Sequence, residues 1–336
     1  MVVGSIAFVL WLCLQLSSII VDAIIAITLA AAILPLAAKA ENRRVPRAAT
    51  VLLTYLAVVL FYVVIGFALW NPISTEVRAL RENLPAMQTK VSDLYMNAAE
   101  RFDLPRDLTH NNEVQQIAKT AAHRTMNVSL GLFGVVGNVI LVLFFTSYFV
   151  INSSRITGAI LAWVPVRHRA RAESLMGPVA NRMGGYVRGQ ALVSTAVGAF
   201  FAIGFTLIQL KYALVLGVLA GVLNLIPFVG SITATVLAIF VALTDATNPM
   251  LRLILTVGLF AIEQTVESNF IVPFLLGSQV ELDPLIVLVA ILIGATLGGA
   301  VGALIAVPIA SAVLLIAQEL YLKPMQMREA ADVVID

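Results

Sequence analysis

Glu263, Gln264 and Glu267 lie within an otherwise apolar stretch, 251–272. Their spacings of three and four put Glu263 and Glu267 on one face of a helix, with Gln264 beside Glu267. A carboxylate at the centre of a bilayer is disfavoured by about 2.5 to 3.5 kcal/mol on insertion scales, so such residues face a cavity, a partner or an ion path. Glu267 is therefore the leading functional candidate. The competing expectation is that one of the two carboxyls reaches the interface or pairs with an Arg at a helix end. Asn224 stands three residues before Pro227 and six before Gly230. There an amide can satisfy freed backbone groups or contact a polar solute. Asn269 follows Glu267 by two positions and precedes Pro273 by four.

Enzymatic constellations are absent. His110, His123 and His168 lie in polar segments without metal-ligand spacing. Neither a phosphate-binding G-x-x-x-x-G-K-[ST] loop nor a G-x-S-x-G elbow occurs. The sequence thus predicts neither an enzyme nor a primary ATP-driven pump, with no cofactor and no metal. A single cysteine, Cys13, in an apolar run permits no intrachain disulfide and no zinc cluster.

The elements that must position these residues follow from composition. With 336 residues, 60% hydrophobic and 12% charged, and a mean hydropathy of +0.97, the chain is far less charged than a soluble domain, where about a quarter of residues are. It reads as an all-α, polytopic membrane protein. Apolar stretches long enough to span occur at 3–20, 23–38, 48–70, 128–151, 190–208, 251–272 and 299–320. Met1 to Leu10 carries no Lys or Arg, so the N-terminus reads as a retained span rather than a signal peptide. Two stretches fit no single span: 213–243 is too long and is interrupted at Pro227, and 285–298 is too short and ends at Gly298 and Gly299. Each is expected to be a re-entrant hairpin or a pair of short broken helices, because irregular backbone at membrane depth must be satisfied by protein or by a water-filled cavity. Pro227, Gly230, Pro273, Pro284 and Pro308 are the expected hinges or breaks. Gly294, Gly298 and Gly302 recur every four residues and Ala306 continues the row, a smooth face that another helix can approach closely.

Basic residues cluster at Lys39, Arg43, Arg44 and Arg47, and again at Arg155, Arg167, Arg169, Arg171, Arg182 and Arg188. The positive-inside rule places both loops in the cytoplasm; nucleic-acid binding is not expected. Both chain termini then come out cytoplasmic. The chain divides into N-terminal membrane helices (1–70), an extramembrane helical arm (71–127), a core transport region (128–322) with breaks near Pro227, Pro273 and Pro308, and a cytoplasmic tail (323–336). The arm holds seven basic and seven acidic residues. Val77, Leu80, Leu84, Met87, Val91, Leu94, Ala98 and Phe102 recur at threes and fours, the period of an apolar helical stripe. Pro85 predicts two helices meeting near Asn83. The pair packs on its own protomer or forms a seam between protomers.

Several ordered motifs resemble the autoinducer-2 exporter (AI-2E) family of bacterial permeases. They are Phe145 with Tyr148 and Phe149, the run Gly185-Tyr186-Val187-Arg188-Gly189-Gln190, the stretch from Gly217 and Gly221 through Asn224 and Pro227 to Gly230, Glu267-Ser268-Asn269 with Pro273, Asp283-Pro284, and Gly298 through Pro308. The resemblance covers most of the chain, including the polar arm. It implies a multi-pass bacterial inner-membrane transporter, assembled as a homo-oligomer with a pentamer expected, that contacts membrane lipid and exports a small hydrophilic molecule. It also carries Asn224, Pro227, Gly230, Glu267, Asn269 and Pro273 over as patterned positions, but not Glu263. Asp283 departs from the family's usual residue before the proline. Because some relatives are assigned to sodium/proton antiport, a monovalent cation/proton antiporter is the alternative. A membrane scaffold acting through its arm is the third expectation.

Overall fold

The structure, a computed structural model, describes residues 17–102, 128–244, 248–277 and 282–322. In lipid a helix satisfies every backbone donor and acceptor within its own segment, and no strand occurs among the described residues. In chain order the helices are α1 (Ser17–Glu41), α2 (Arg47–Phe102), α3 (Val128–Ile151), α4 (Ser153–Trp163), α5 (Val166–Leu207), α6 (Ala213–Leu223), α7 (Val229–Leu243), α8 (Pro249–Val266), α9 (Val272–Leu275) and α10 (Pro284–Ala317). A π-helical turn, Glu267–Ile271, joins α8 to α9, and another, Gln318–Leu322, follows α10. Among the described residues five helices are long and apolar enough to cross a membrane, or up to six when the bent pair α3 and α4 counts as one span. The chain is an all-α polytopic membrane protein.

Two compact units are built from interleaved segments. The first comprises Met1–Leu60, Asn138–Ala191 and Pro273–Asp336. Its core joins Ala30, Ile33 and Ala37 of α1 to Val51 of α2 and Val150 of α3. Tyr55 Oη donates to the Leu143 carbonyl at 3.0 Å, and Arg47 bridges Glu41 at 2.9 Å and the Ser153 hydroxyl at 2.8 Å. Pro35 inside α1 leaves the Ala31 carbonyl without its usual donor. In that opened turn Arg188 Nη1 donates to the adjacent Ala32 carbonyl at 2.6 Å. Gly184 lies on the Ala31 backbone so closely that a side chain there would collide.

The second unit comprises Phe61–Gly137 and Leu192–Val272. Here α6 packs on α7, and α7 on α8. At 11 and 15 residues, α6 and α7 rise only about 16 and 22 Å, each short of a hydrocarbon core about 30 Å thick. The stretch 213–243, expected as a re-entrant hairpin or a pair of short broken helices, is thus two short helices that meet at a break. Part of α2 holds both ends of this pair. Glu76 accepts hydrogen bonds from the Val215 N–H at 2.9 Å and the Leu214 N–H at 3.5 Å. Lys90 Nζ donates to the Thr244 carbonyl, at the C-terminus of α7, at 3.2 Å. A carboxylate at a helix N-terminus and an ammonium at a C-terminus each complement the helix dipole.

Several expectations are corrected. Two spans were expected at 3–20 and 23–38, but α1 runs unbroken through Val21 and Asp22, and residues 1–16 lie outside the described residues. The predicted meeting of two helices near Asn83 does not occur, because α2 continues through Pro72 and Pro85. Beside the prolines Asn83 Nδ2 adds a bond to the Ala79 carbonyl at 2.7 Å and Thr75 Oγ1 one to the Asn71 carbonyl at 2.9 Å. His110 and His123 lie outside the described residues. The break expected at Pro308 falls instead at Gly298 and Gly299, whose φ, ψ of −138°, 19° and 60°, −146° are the non-helical values within α10. A positive φ with that ψ is open essentially to glycine. Segments 284–297 and 300–317 fold back on each other there, so that Gly294 meets Gly302 and Ala306. The expected smooth face is therefore a contact inside one hairpin, not one row on one helix.

Candidate functional site

The polar cluster of the second unit is assembled where two helices lose their regular form. Between α6 and α7 the chain turns through 224–228, and Phe228 takes a left-handed φ of 68°. The turn is tight because Gly230 lies directly on the Asn224 nitrogen and the Ala220 carbonyl, where a Cβ would overlap them. Asn224, 0% exposed, closes α6 with its backbone N–H on the Ala220 carbonyl.

On the other side, Pro273 cannot donate to the carbonyl four residues back. The helical ladder widens before it, and the Val272 N–H reaches the Glu267 carbonyl in a π turn. The expected break near Pro273 is thus a wide turn rather than a gap. It leaves Glu267, 8% exposed, turned toward Asn224. Asn224 Nδ2 donates to Glu267 Oε1 at 3.2 Å. One turn earlier Glu263 is 0% exposed, and its Oε1 accepts from Ser231 Oγ at 3.3 Å. The two carboxyls are close enough to interact with each other.

The structure thus brings together Asn224, Glu263 and Glu267 and adds Ser231. Gln264 is half-buried, whereas Asn269 is exposed and uses its Nδ2 on the Thr265 carbonyl at 2.9 Å, so it braces the π turn. Pro284 starts α10 behind Asp283, whose Oδ1 accepts from the Leu285 N–H at 2.8 Å. That cap gives the unusual Asp283 a structural role. Pro308 is buried inside helix.

Sequence reading missed Ser231, Thr235 and Thr256. Thr235 stands four residues after Ser231, and Thr256 seven before Glu263, so each shares the face of its helix that bears the Ser231–Glu263 pair. All three are buried, and among the described residues Thr235 Oγ1, Thr256 Oγ1 and Glu263 Oε2 find no hydrogen-bond partner. Unsatisfied polar oxygens in a protein interior each cost about 1–3 kcal/mol. Carboxyl, hydroxyl and amide groups in one seam can take a proton, a dehydrated cation or the hydroxyls of a polar solute. Among the described residues no group of three or more His, Cys, Asp or Glu gathers for a metal ion.

A family model described as "AI-2E family transporter" matches residues 1–322. The chain is similar to YrrI of Bacillus subtilis, 28% identical over 311 residues that cover 90% of this chain and 86% of the relative. It is also similar to YueF of the same organism, 25% identical over 280 residues, 80% of this chain and 75% of the relative. Both bear the name "putative transport protein".

Proposed function

Because the chain belongs to the AI-2E family of transporters, we propose that it moves a small hydrophilic molecule, an autoinducer-2-like signal or a related metabolite, outward by secondary transport. The observation that carries this reading is the buried bond between Asn224 and Glu267, which ties the α6–α7 break to the π turn. Buried carboxyls at helix irregularities suit a solute that enters dehydrated, since they replace the hydrogen bonds it loses. Movement of the α6–α7 pair, opening the seam to one side and then the other, is the alternating-access step. By the positive-inside rule both termini face the cytoplasm, in a bacterial inner membrane. The working form is a homo-oligomer, a pentamer in the family resemblance.

A second reading, monovalent cation/proton antiport, draws support from the oxygen-only composition of the Ser231, Thr235, Thr256 and Glu263 seam. Flux from proteoliposomes, measured with a proton gradient, with a sodium gradient and with neither, tests both. Solute export indifferent to sodium supports the first reading. Proton movement that requires sodium and no organic solute supports the second and overturns the first.

A further inference from the structure

A groove in the first unit, formed by residues outside the carboxyl seam, has the polarity of a phospholipid. It encloses about 650 Å³ between the start of α5 and the end of the last helix. On α5, His168, Arg171, Leu175 and Val179 line it at spacings of three and four, one face of one helix, with Met176 beside Leu175. Ile316 and Leu320, one turn apart, form the opposite wall. Arg171 Nη2 donates to the Glu319 carbonyl, which fixes the two walls at their polar end. The groove therefore runs from two basic groups at one end to aliphatic side chains at the other.

Its surroundings place that polar end at the level of lipid headgroups. Helix α4 turns 78° away from α3, so if α3 crosses the bilayer, α4 lies nearly along its plane. Trp163, at the end of α4, is 91% exposed, and Tyr321, beside Leu320, is also exposed. Exposed Trp and Tyr at helix ends suit a membrane–water interface. Arg169 Nε donates to the Leu161 carbonyl at 3.0 Å and pins the corner between α4 and α5. From 152 to 172 the chain carries Arg155, Arg167, His168, Arg169 and Arg171 and no Asp or Glu. Arg171 keeps further N–H donors beyond the one on Glu319, and a guanidinium matches a phosphate in charge and shape.

We infer that this groove seats an anionic phospholipid, its phosphodiester on Arg171 and His168 and one acyl chain along Leu175, Met176, Ile316 and Leu320. The positive-inside rule explains the basic loop as a whole, but not why an apolar groove opens under two of its members.

The full chain, purified in detergent, is titrated with phosphatidylglycerol and with phosphatidylcholine of the same acyl chains, and bound lipid is counted by native mass spectrometry. Phosphatidylglycerol is expected to bind roughly tenfold more tightly, the factor of a single charge-assisted contact. Arg171→Gln removes the preference. Arg155→Gln, an equal loss of charge outside the groove, keeps it. Ile316→Trp, which fills the apolar end one turn away from Glu319, weakens both lipids and serves as the second variant if Arg171→Gln does not fold. Equal binding of the two lipids, or equal loss in the Arg155 and Arg171 variants, overturns the site. Displacement of the lipid by soluble glycerol phosphate, or lipid binding that occurs only after residues 323–336 are removed, assigns the groove to a small anion or to the chain's own tail and overturns it too.

Discussion

Asn224 and Glu267, 43 residues apart in sequence, are joined by a buried hydrogen bond of 3.2 Å. Each sits where a helix departs from α geometry, Asn224 at the end of α6 and Glu267 at the first residue of the π turn. Regular helices turn their backbone groups inward on themselves, so a side-chain amide and a carboxyl brought together at two irregularities also gather loosened backbone polar groups. That concentration of polarity among otherwise apolar helices suits a dehydrated solute.

Glu267→Gln keeps an acceptor for Asn224 but removes the ionisable group. Solute flux in proteoliposomes is expected to fall at least about tenfold, equivalent to roughly 1.4 kcal/mol in the barrier, with unchanged elution on size exclusion. Wild-type flux in this variant removes Glu267 from the transport step.

Glu263→Leu addresses the second carboxyl. Oε2 of Glu263 finds no hydrogen-bond partner among the described residues and the residue is 0% exposed, so an apolar side chain of similar size removes a buried polar cost. Thermal stability in detergent is expected to hold or rise while flux is lost, the pattern of a residue kept for function at the expense of stability. A variant with a lower midpoint of thermal unfolding that still transports at the wild-type rate would show that Glu263 serves the fold alone.

Glu76→Gln and Lys90→Met test the grip of α2 on α6 and α7. Each charge at a helix end contributes about 0.3–1 kcal/mol, so neither change unfolds the protein. Amide hydrogen exchange is expected to quicken in 213–217 for the first variant and in 240–244 for the second. If both variants exchange like the wild type, the clasp carries no energy.

Gly294→Val sets a side chain against the backbone of Gly302, where no rotamer can relieve the overlap. Overpacking costs about 1–3 kcal/mol where neighbours can shift, and more against backbone. The midpoint of thermal aggregation should drop by several degrees or the protein should fail to express. Gly258→Val is the control, because none of the described residues lies within 4 Å of the Cβ it would add. Equal behaviour of the two variants contradicts the hairpin.

Legibility in the sequence followed how local each cause was. The pairing of Glu263 with Glu267 needs only helical spacing, and the break at Pro227 needs only a missing N–H and a nearby glycine, so both could be read directly. Ser231 could not be read as a partner of Glu263, because hydroxyls in apolar helices commonly bond their own backbone, as Thr28 and Thr146 do to carbonyls four residues back. Proline misled twice. At Pro85 and Pro308 the helix continues, whereas the true reversal needs a positive φ that Gly299 adopts. The roles of Glu76 and Lys90 could not be read, since their partners stand more than 130 residues away in sequence.

Pro273→Ala would restore the N–H whose absence favours the π turn. The N–H at 273 could then bond the Asn269 carbonyl, and a regular ladder from α8 into α9 would remove one residue from the widened turn. That shifts the register between 267 and 271 by about 100°, the rotation of one residue in an α-helix. Glu267 would turn away from Asn224, and their bond would break although neither side chain had been altered. Thermal stability is expected to rise, since proline inside a helix costs about 3 kcal/mol, while solute flux falls toward that of Glu267→Gln. Combining the two substitutions should lower flux no further than either alone, because each takes the Glu267 carboxylate out of the seam. Additive losses would mean that the π turn acts in transport by some route other than aiming Glu267.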